Sequence, residues 1–347
     1  MRSASQPLTV LIASYLEPEY AKQIAAVAGV RVIYEPELVP SPRYTCDHVG
    51  KPMKRTDGDE RRWRGYLAQA EVMFDFDHTN AQTLKDLIPN VRWIQGTSTG
   101  IGDFLVRTGL IDTALTFTTA RGVHAKPLAD FVIMAMLWFA KEGFRMIRDQ
   151  AAHGWQRYCG RGLHGATVGI VGLGTIGREV ARLSRAMGMR VVGTRRTGTE
   201  EVLGAGDIDT LVPITELPAL LRAADYLVLA VPRTPQTEGL IGAREFEAMK
   251  PGAVLINVAR GVVVDEEAMI AALRGGRLGG AAVDVLAKEP PVDDNPLWDM
   301  PNVLISPHSA STVDTENANL TALFCENLRR YLHGDALINV FDRERLY

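Results

Sequence analysis

The sequence predicts two α/β domains, one of them built on a doubly wound parallel sheet. The chain has 347 residues, which at roughly 150 residues per domain corresponds to about two domains. Short apolar segments alternate with helical segments along most of the chain, a pattern typical of parallel strands joined by helices. Residues 168–177, VGIVGLGTIG, place three glycines between an apolar strand and a helix, where a doubly wound sheet has its first turn.

Composition and charge exclude several classes of protein. A hydrophobic fraction of 46% and a charged fraction of 23% fit a globular chain and exclude disorder. The 38 Lys and Arg residues against 41 Asp and Glu residues give a net charge of -3, so nothing predicts binding to nucleic acid or to a membrane. Cys46, Cys159 and Cys325 form no CxxC pair, and we expect free thiols in a cytoplasmic protein.

The first domain is predicted to start with a strand, a helix and a second strand. These are residues 8–13, 17–28 and 30–34, and further strands follow at residues 71–76 and 92–95. Between them, residues 35–59 contain four prolines, which predicts an irregular loop, either functional or disordered. This loop either covers a binding cleft and recognises a larger ligand, or is only a surface loop. The residues that favour recognition are Tyr44, Asp47, His48 and Arg55.

The second domain is predicted to follow a small-residue crossing at residues 96–102, GTSTGIG. Beyond it strands and helices alternate regularly. The predicted strands are 167–171, 190–194, 226–231, 253–258, 280–285 and 303–306, and the predicted helices are 176–187, 217–223, 244–249 and 266–273. The last helix, residues 314–332, is long enough to return to the first domain. We therefore predict one domain of residues 1–103 with 310–347, and a second of residues 104–309.

The three glycines of the turn have the GxGxxG spacing of a dinucleotide site. Gly172, Gly174 and Gly177 allow a tight turn, a close approach of the backbone to a pyrophosphate and close packing of helix on strand. Thr175 and Ile176 begin the helix whose N-terminus faces the anion.

Arginines stand where an NAD site usually has an acid. About 20 residues after the glycines, Asp or Glu normally binds the ribose 2′-hydroxyl, but here the strand ends in Thr194, Arg195 and Arg196. A guanidinium can hold a 2′-phosphate, so we expect NADP(H) to be favoured over NAD(H). Alternatively, both arginines are solvated and an acid elsewhere binds the ribose.

Three later segments resemble the D-isomer-specific 2-hydroxyacid dehydrogenase family. They are INVARG at residues 256–261, AVDVLAKEP at residues 282–290 and ISPHS at residues 305–309. The resemblance implies a Rossmann-type cofactor domain and a smaller flavodoxin-like substrate domain completed by the C-terminus. It implies cofactor contacts from the ends of several strands and substrate contacts from the segment after residue 96. The residues concerned are Val231, Pro232, Val258, Ala259 and Asp284 for the cofactor, and Thr99, Gly100 and Ile101 for the substrate carboxylate.

Reduction of a 2-keto acid needs a hydride donor, a cation for the substrate and a proton source. Arg260 follows a buried strand, and by the resemblance it binds and polarises the keto acid. His308 has a side chain suited to give and take a proton near neutral pH, and Glu289 would raise its pKa. Each alone could be a surface or turn residue, and Asp284 could equally be a strand-end cap.

These observations predict an NADPH-preferring 2-keto acid reductase that closes on its substrate. With His124 and Arg195, the pattern resembles the glyoxylate/hydroxypyruvate reductase branch. The alternatives are an NAD-dependent dehydrogenase of a larger 2-hydroxy acid, and a dinucleotide-sensing binding protein similar to the C-terminal-binding corepressors. We expect no metal, because no histidine spacing suits one, and a homodimer formed through the apolar helix at residues 127–140 with Trp138.

Overall fold

A computed structural model describes residues 6–195 and 206–346 of the protein. The chain divides into two compact units: residues up to Val123 together with those from Thr312 onwards, and His124–Ser311 between them. Each unit is an α/β layer structure with its own parallel sheet, which confirms the predicted fold class. No helix in the described ranges has both the length and the apolar character needed to cross a membrane.

The first unit is built on a five-stranded sheet with the strand order β2-β1-β3-β4-β5. All neighbouring strands are parallel, and the order is that of flavodoxin-like sheets. The strands are β1 (Leu8–Ile12), β2 (Val30–Ile33), β3 (Val72–Phe74), β4 (Trp93–Gln95) and β5 (Thr116–Thr118). Because β5 joins this sheet, the first unit continues to Val123, past the change of domain expected at residue 103.

Four helices accompany this sheet before the chain leaves the unit: α1 (Pro18–Ala25), α2 (Asp57–Gln69), α3 (Leu84–Leu87) and α4 (Gly102–Arg107). The sequence pattern does not predict α2, because the helix buries only Trp63 and Leu67 and is otherwise polar. Its start is instead marked by Thr56, whose side chain accepts a hydrogen bond from the backbone N–H of Asp59. The expected irregular loop therefore ends where α2 begins.

The remaining loop, residues 39–56, is held by its own side chains. Asp47 is buried and accepts hydrogen bonds from Arg43, Val49 and Gly50. Nε of Arg55 donates to the carbonyl oxygen of Leu38 at 2.7 Å. Asp47 and Arg55 are thus buried and shape the loop itself.

The second unit is built on a seven-stranded parallel sheet with the order β12-β11-β10-β9-β6-β7-β8. The order reverses between β6 and β9, which creates the crevice where doubly wound sheets bind ligands. The strands are β6 (Thr167–Val171), β7 (Arg190–Arg195), β8 (Thr210–Pro213), β9 (Tyr226–Leu229), β10 (Ala253–Asn257), β11 (Leu278–Val283) and β12 (Val303–Ile305).

Helices cover both faces of the second sheet, and each face has its own buried apolar cluster. Helix α5 confirms the predicted apolar helix and contributes seven buried residues. In the described part of this unit the helices are α5 (Ala125–Ala140), α6 (Gly143–Ala151), α7 (Thr175–Ala186), α8 (Leu217–Ala223), α9 (Ala243–Ala248) and α10 (Glu266–Arg274).

The last helix, α11 (Glu316–His333), belongs to the first unit, as the sequence predicts. It packs beside α1, and its Phe324 contacts the rings of Phe74 and Trp93, each with ring centres 5.2 Å apart. The C-terminal segment therefore completes the core on one face of the first sheet.

Candidate functional site

The turn after β6 requires glycine at two positions. Gly172 has a φ of 103°, and a Cβ atom there would lie 2.7 Å from the carbonyl oxygen of Ala230. A Cβ atom on Gly177 would lie only 2.0 Å from the carbonyl oxygen of Gly172. The first glycine therefore allows the turn, and the second lets α7 pack directly against it.

The middle glycine has a different environment. Gly174 is the N-cap of α7, and a Cβ atom there would meet nothing within 4 Å. Within the described chain no side chain caps the helix, so the backbone N–H groups at its start, in Thr175 and Ile176, have no side-chain acceptor there. An uncapped helix N-terminus with room above it fits the pyrophosphate of a dinucleotide.

The second strand of this half-sheet ends beside the glycine turn. The carbonyl oxygen of Thr194 accepts hydrogen bonds from the backbone N–H groups of Gly172 and Leu173. The Thr194 side chain is buried, and its Oγ1 has no hydrogen-bond partner within the described chain. Arg195 is exposed at the strand end, so a cation occupies the position where an acid was expected. Arg196 lies outside the described residues.

The ends of β9 and β10 meet the same edge of the sheet. A Cβ atom on Gly172 would lie 2.8 Å from a methyl group of Val231, which Pro232 follows directly. Val258 and Ala259 follow β10, and the backbone N–H of Val258 donates to the Leu229 carbonyl oxygen. The predicted cofactor residues in the described part of this unit thus lie at one edge.

Asp284 follows β11 and organises the next loop. It is 3% exposed, and its Oδ1 accepts hydrogen bonds from Ser306 Oγ at 2.6 Å and from the backbone N–H groups of Ser309 and Ala310 at 2.9 Å. Its carbonyl oxygen accepts from the backbone N–H of His308. Asp284 therefore caps the strand end and fixes the segment that carries His308, and Ser306 is a partner that the sequence argument missed.

His308 and Glu289 form a close pair. Nδ1 of His308 donates to Oε2 of Glu289 at 2.7 Å, and the other carboxylate oxygen accepts from the backbone N–H of Leu286 at 3.0 Å. The hydrogen bond and charge of Glu289 raise the pKa of His308 against its burial. Burial would raise the pKa of Glu289, but His308 and the Arg260 charge lower it. The pairing therefore favours the protonated ring of His308 and the ionised carboxylate of Glu289.

Arg260 is brought to this pair by its neighbours. The side chain of Asn257 donates to the Arg260 carbonyl oxygen at 3.2 Å and accepts from the backbone N–H of Ala259 at 3.0 Å. A Cβ atom on Gly261 would lie 1.9 Å from the carbonyl group of Leu286, so only glycine allows the two segments to approach this closely. The sequence argument singled out neither Asn257 nor Gly261, although both stand in the INVARG segment.

Thr99, Gly100 and Ile101 lie in the first unit, after β4. The backbone N–H of Gly100 donates to Ser98 Oγ at 3.2 Å, and Ile101 is 4% exposed at the start of α4. The structure therefore brings Arg260, Glu289 and His308 together in one unit, and the role of Thr99 to Ile101 towards a substrate stays a prediction.

Comparisons with known proteins agree with this arrangement. Residues 133–310 match the family model described as D-isomer specific 2-hydroxyacid dehydrogenase, NAD binding domain. A glyoxylate reductase of Thermococcus gammatolerans is 38% identical over 54% of this chain, and the match spans about half, 54%, of that relative's length. A putative 2-hydroxyacid dehydrogenase of Haemophilus influenzae is 31% identical over 86% of this chain and 95% of its own.

A solved structure is similar over nearly the whole chain. It is a D-isomer specific 2-hydroxyacid dehydrogenase from Xanthobacter autotrophicus in complex with NADPH and MES. The TM-score is 0.77 at 26% sequence identity, and the match covers 99% of this chain and 100% of the other.

Two alanine substitutions separate the tasks of the glycines. Gly177→Ala forces backbone atoms apart and should lower the free energy of unfolding by about 1–3 kcal/mol. Gly174→Ala meets no protein atom, so it should change that free energy by less than about 1 kcal/mol while weakening dinucleotide binding at the helix N-terminus. Urea unfolding and fluorescence titration measure the two effects. Equal losses of stability would contradict the assignment.

Proposed function

Because the chain belongs to the D-isomer specific 2-hydroxyacid dehydrogenase family, we propose that it reduces small 2-keto acids to D-2-hydroxy acids with a nicotinamide dinucleotide. The observation that carries the proposal is the 2.7 Å pair of His308 and Glu289 beside Arg260. A proton donor, its counter-charge and a permanent cation stand together at the strand ends, where doubly wound sheets bind ligands. The D configuration follows from the family alone.

His308 is proposed as the general acid of the reduction. Its Nδ1 is engaged by Glu289, so Nε2 is left to give a proton to the carbonyl oxygen of the keto acid. In the reverse direction the neutral ring takes the proton from the hydroxyl group. Glu289 fixes the orientation of the ring and stabilises its charged form.

Arg260 is proposed to bind the keto acid. Its guanidinium stays charged throughout the reaction and offers several N–H donors to a carboxylate and to the carbonyl oxygen. Polarisation of the carbonyl group favours attack at its carbon. The dinucleotide, when bound, supplies the hydride.

We propose NADP(H) as the favoured dinucleotide and NAD(H) as the weaker one. Arg195 is exposed at the end of β7, where its guanidinium can hold a 2′-phosphate, and arginines directly follow Thr194 where an acid is usual. The similar Xanthobacter protein is described in complex with NADPH, which supports this preference.

We further propose that two copies associate through the second unit, with α6 and the segment after it as the contact surface. Met146, Ile147 and Trp155 are exposed there, and Trp155 is 99% exposed. A second copy would bury these apolar side chains. Trp138 of α5, expected at this contact, lies against Gly143 and Phe144 of its own unit.

We also propose a cytoplasmic location, which the free thiols of all three cysteines support.

Substitutions of the pair test the proton transfer. His308→Gln should lower kcat/KM about 10²- to 10⁴-fold while dinucleotide binding is retained. Reduction needs protonated His308, so its rate should fall as pH rises through a pKa above the ordinary value of 6.5. Glu289→Gln removes the charge that raises this pKa and should move the falling limb to lower pH. Turnover by His308→Gln at the wild-type rate would contradict the assignment.

Substitutions of two arginines on β7 test the cofactor preference. Arg195→Gln should raise the KM for NADPH about 10- to 100-fold, because a charge-assisted contact to the phosphate is lost, and should change the KM for NADH little. Arg190→Gln, an exposed arginine at the start of the same strand, is the matched control and should change neither. An unchanged ratio of the two KM values in Arg195→Gln would exclude Arg195 from the preference.

The proposed contact between copies is tested by a charge. Ile147→Arg should shift the protein from dimer to monomer in light scattering coupled to size exclusion, because a buried unpaired charge opposes association. Met187→Arg, at an exposed apolar residue elsewhere in the unit, should leave the dimer intact. A dimer that persists in Ile147→Arg would place the contact elsewhere.

A further inference from the structure

A buried aspartate and a histidine stand at the carboxyl edge of the first unit's sheet. Asp75 directly follows β3, and its backbone N–H extends the ladder to the carbonyl oxygen of Gln95 at 2.8 Å. Its side chain is 2% exposed, and its φ of 64° lies in the left-handed region. Non-glycine residues held in that region cluster at functional sites.

Asp75 has few close hydrogen bonds for a buried carboxylate. Its Oδ1 accepts a long bond, 3.5 Å, from the backbone N–H of Thr97, and burial would raise its pKa, but the His78 side chain and the Phe76 backbone lower it. Its Oδ2 has no hydrogen-bond partner in the described chain and lies 3.7 Å from Nε2 of His78. Asp77, equally buried, is saturated by donors from Trp63, Thr79 and Asn80. Asp77 therefore stabilises the local structure, whereas the Asp75 carboxylate interacts with the His78 ring.

His78 is three-quarters buried and lies edge-on to Phe104, with ring centres 5.3 Å apart. Burial would lower the pKa of His78, but Asp75 and Asp77 raise it, although Arg107 opposes them. Since Nε2 faces Asp75, the Nδ1–H group remains for a ligand oxygen. The Arg107 guanidinium lies 5.7 Å from the centre of the same Phe104 ring.

Asp75 also connects His78 to the segment after β4. Thr97, which donates to Asp75, is two residues before Thr99, the first residue expected to hold a substrate carboxylate. The His78 ring and this segment therefore share one anchoring carboxylate.

We propose that His78 is a specificity-determining residue that donates a hydrogen bond to an oxygen on the side chain of the 2-keto acid. The substrate class is then 2-keto acids whose side chain carries a hydroxyl group or a second carboxylate, in preference to those with an alkyl side chain. This inference rests on the proposed function and deepens it.

The test compares substrates of matched size. Hydroxypyruvate carries a hydroxyl group where 2-ketobutyrate carries a methyl group, and 2-ketoglutarate supplies the second carboxylate. Wild-type protein should use at least one of the two oxygen-bearing substrates with a kcat/KM about 10- to 100-fold above that for 2-ketobutyrate. The preferred substrate shows whether His78 binds a hydroxyl group or a second carboxylate on the substrate side chain.

His78→Phe and His78→Asn should both lose most of this preference, mainly through a higher KM for the oxygen-bearing substrate. His333→Gln, at an exposed histidine at the end of α11, is the control and should keep the wild-type preference. Either His78 variant decides the matter alone if the other does not fold.

Failure of the proposed function and failure of the role of His78 give different results. Wild-type protein that reduces no 2-keto acid would overturn the proposed function and this inference with it. Active wild-type protein without the preference, or a preference that survives in a His78 variant, would overturn the role of His78 and leave the proposed function standing.

Discussion

The buried carboxylate of Asp284 is the contact on which the candidate active site depends. Three hydrogen bonds to one oxygen fix the loop after β12, and a fourth bond, to the Asp284 carbonyl oxygen, fixes the backbone of His308. This allows His308 to keep a φ of 53° and to point its ring at Glu289. The position of His308 therefore depends on the hydrogen bonds that Asp284 accepts.

The close approach of backbone segments at two glycines is the second constraint on the candidate active site. At Gly177 the helix meets the glycine turn, and at Gly261 the segment with Arg260 meets the segment that leads to Glu289. In both places a side chain would occupy the position of a carbonyl group. The chemistry of the site therefore depends on residues that have no functional group.

The sequence predicts much of this because the chemistry is local. The glycine spacing, the buried strands of the second sheet and the order of Arg260, Glu289 and His308 all lie within short segments. Helix α2 escapes prediction because charged residues dominate it and only two of its residues are buried.

The sequence does not predict the contacts between distant parts of the chain. Strand β5 has three residues and is recognised only by its pairing with β4. Asp75 and Asp77 look equivalent in the sequence, yet one is saturated with donors and the other is not. The Trp63 donor to Asp77 and the Thr97 donor to Asp75 both come from residues distant in the sequence.

We propose that this chain carries out hydride transfer to 2-keto acids and does not merely bind a dinucleotide. The most direct measurement is the decay of NADPH and NADH absorbance in parallel, with glyoxylate, hydroxypyruvate, pyruvate and phenylpyruvate as oxidants. We expect consumption with at least one of them, faster with NADPH than with NADH. Protein that binds NADPH but consumes neither dinucleotide with any of the four would contradict it.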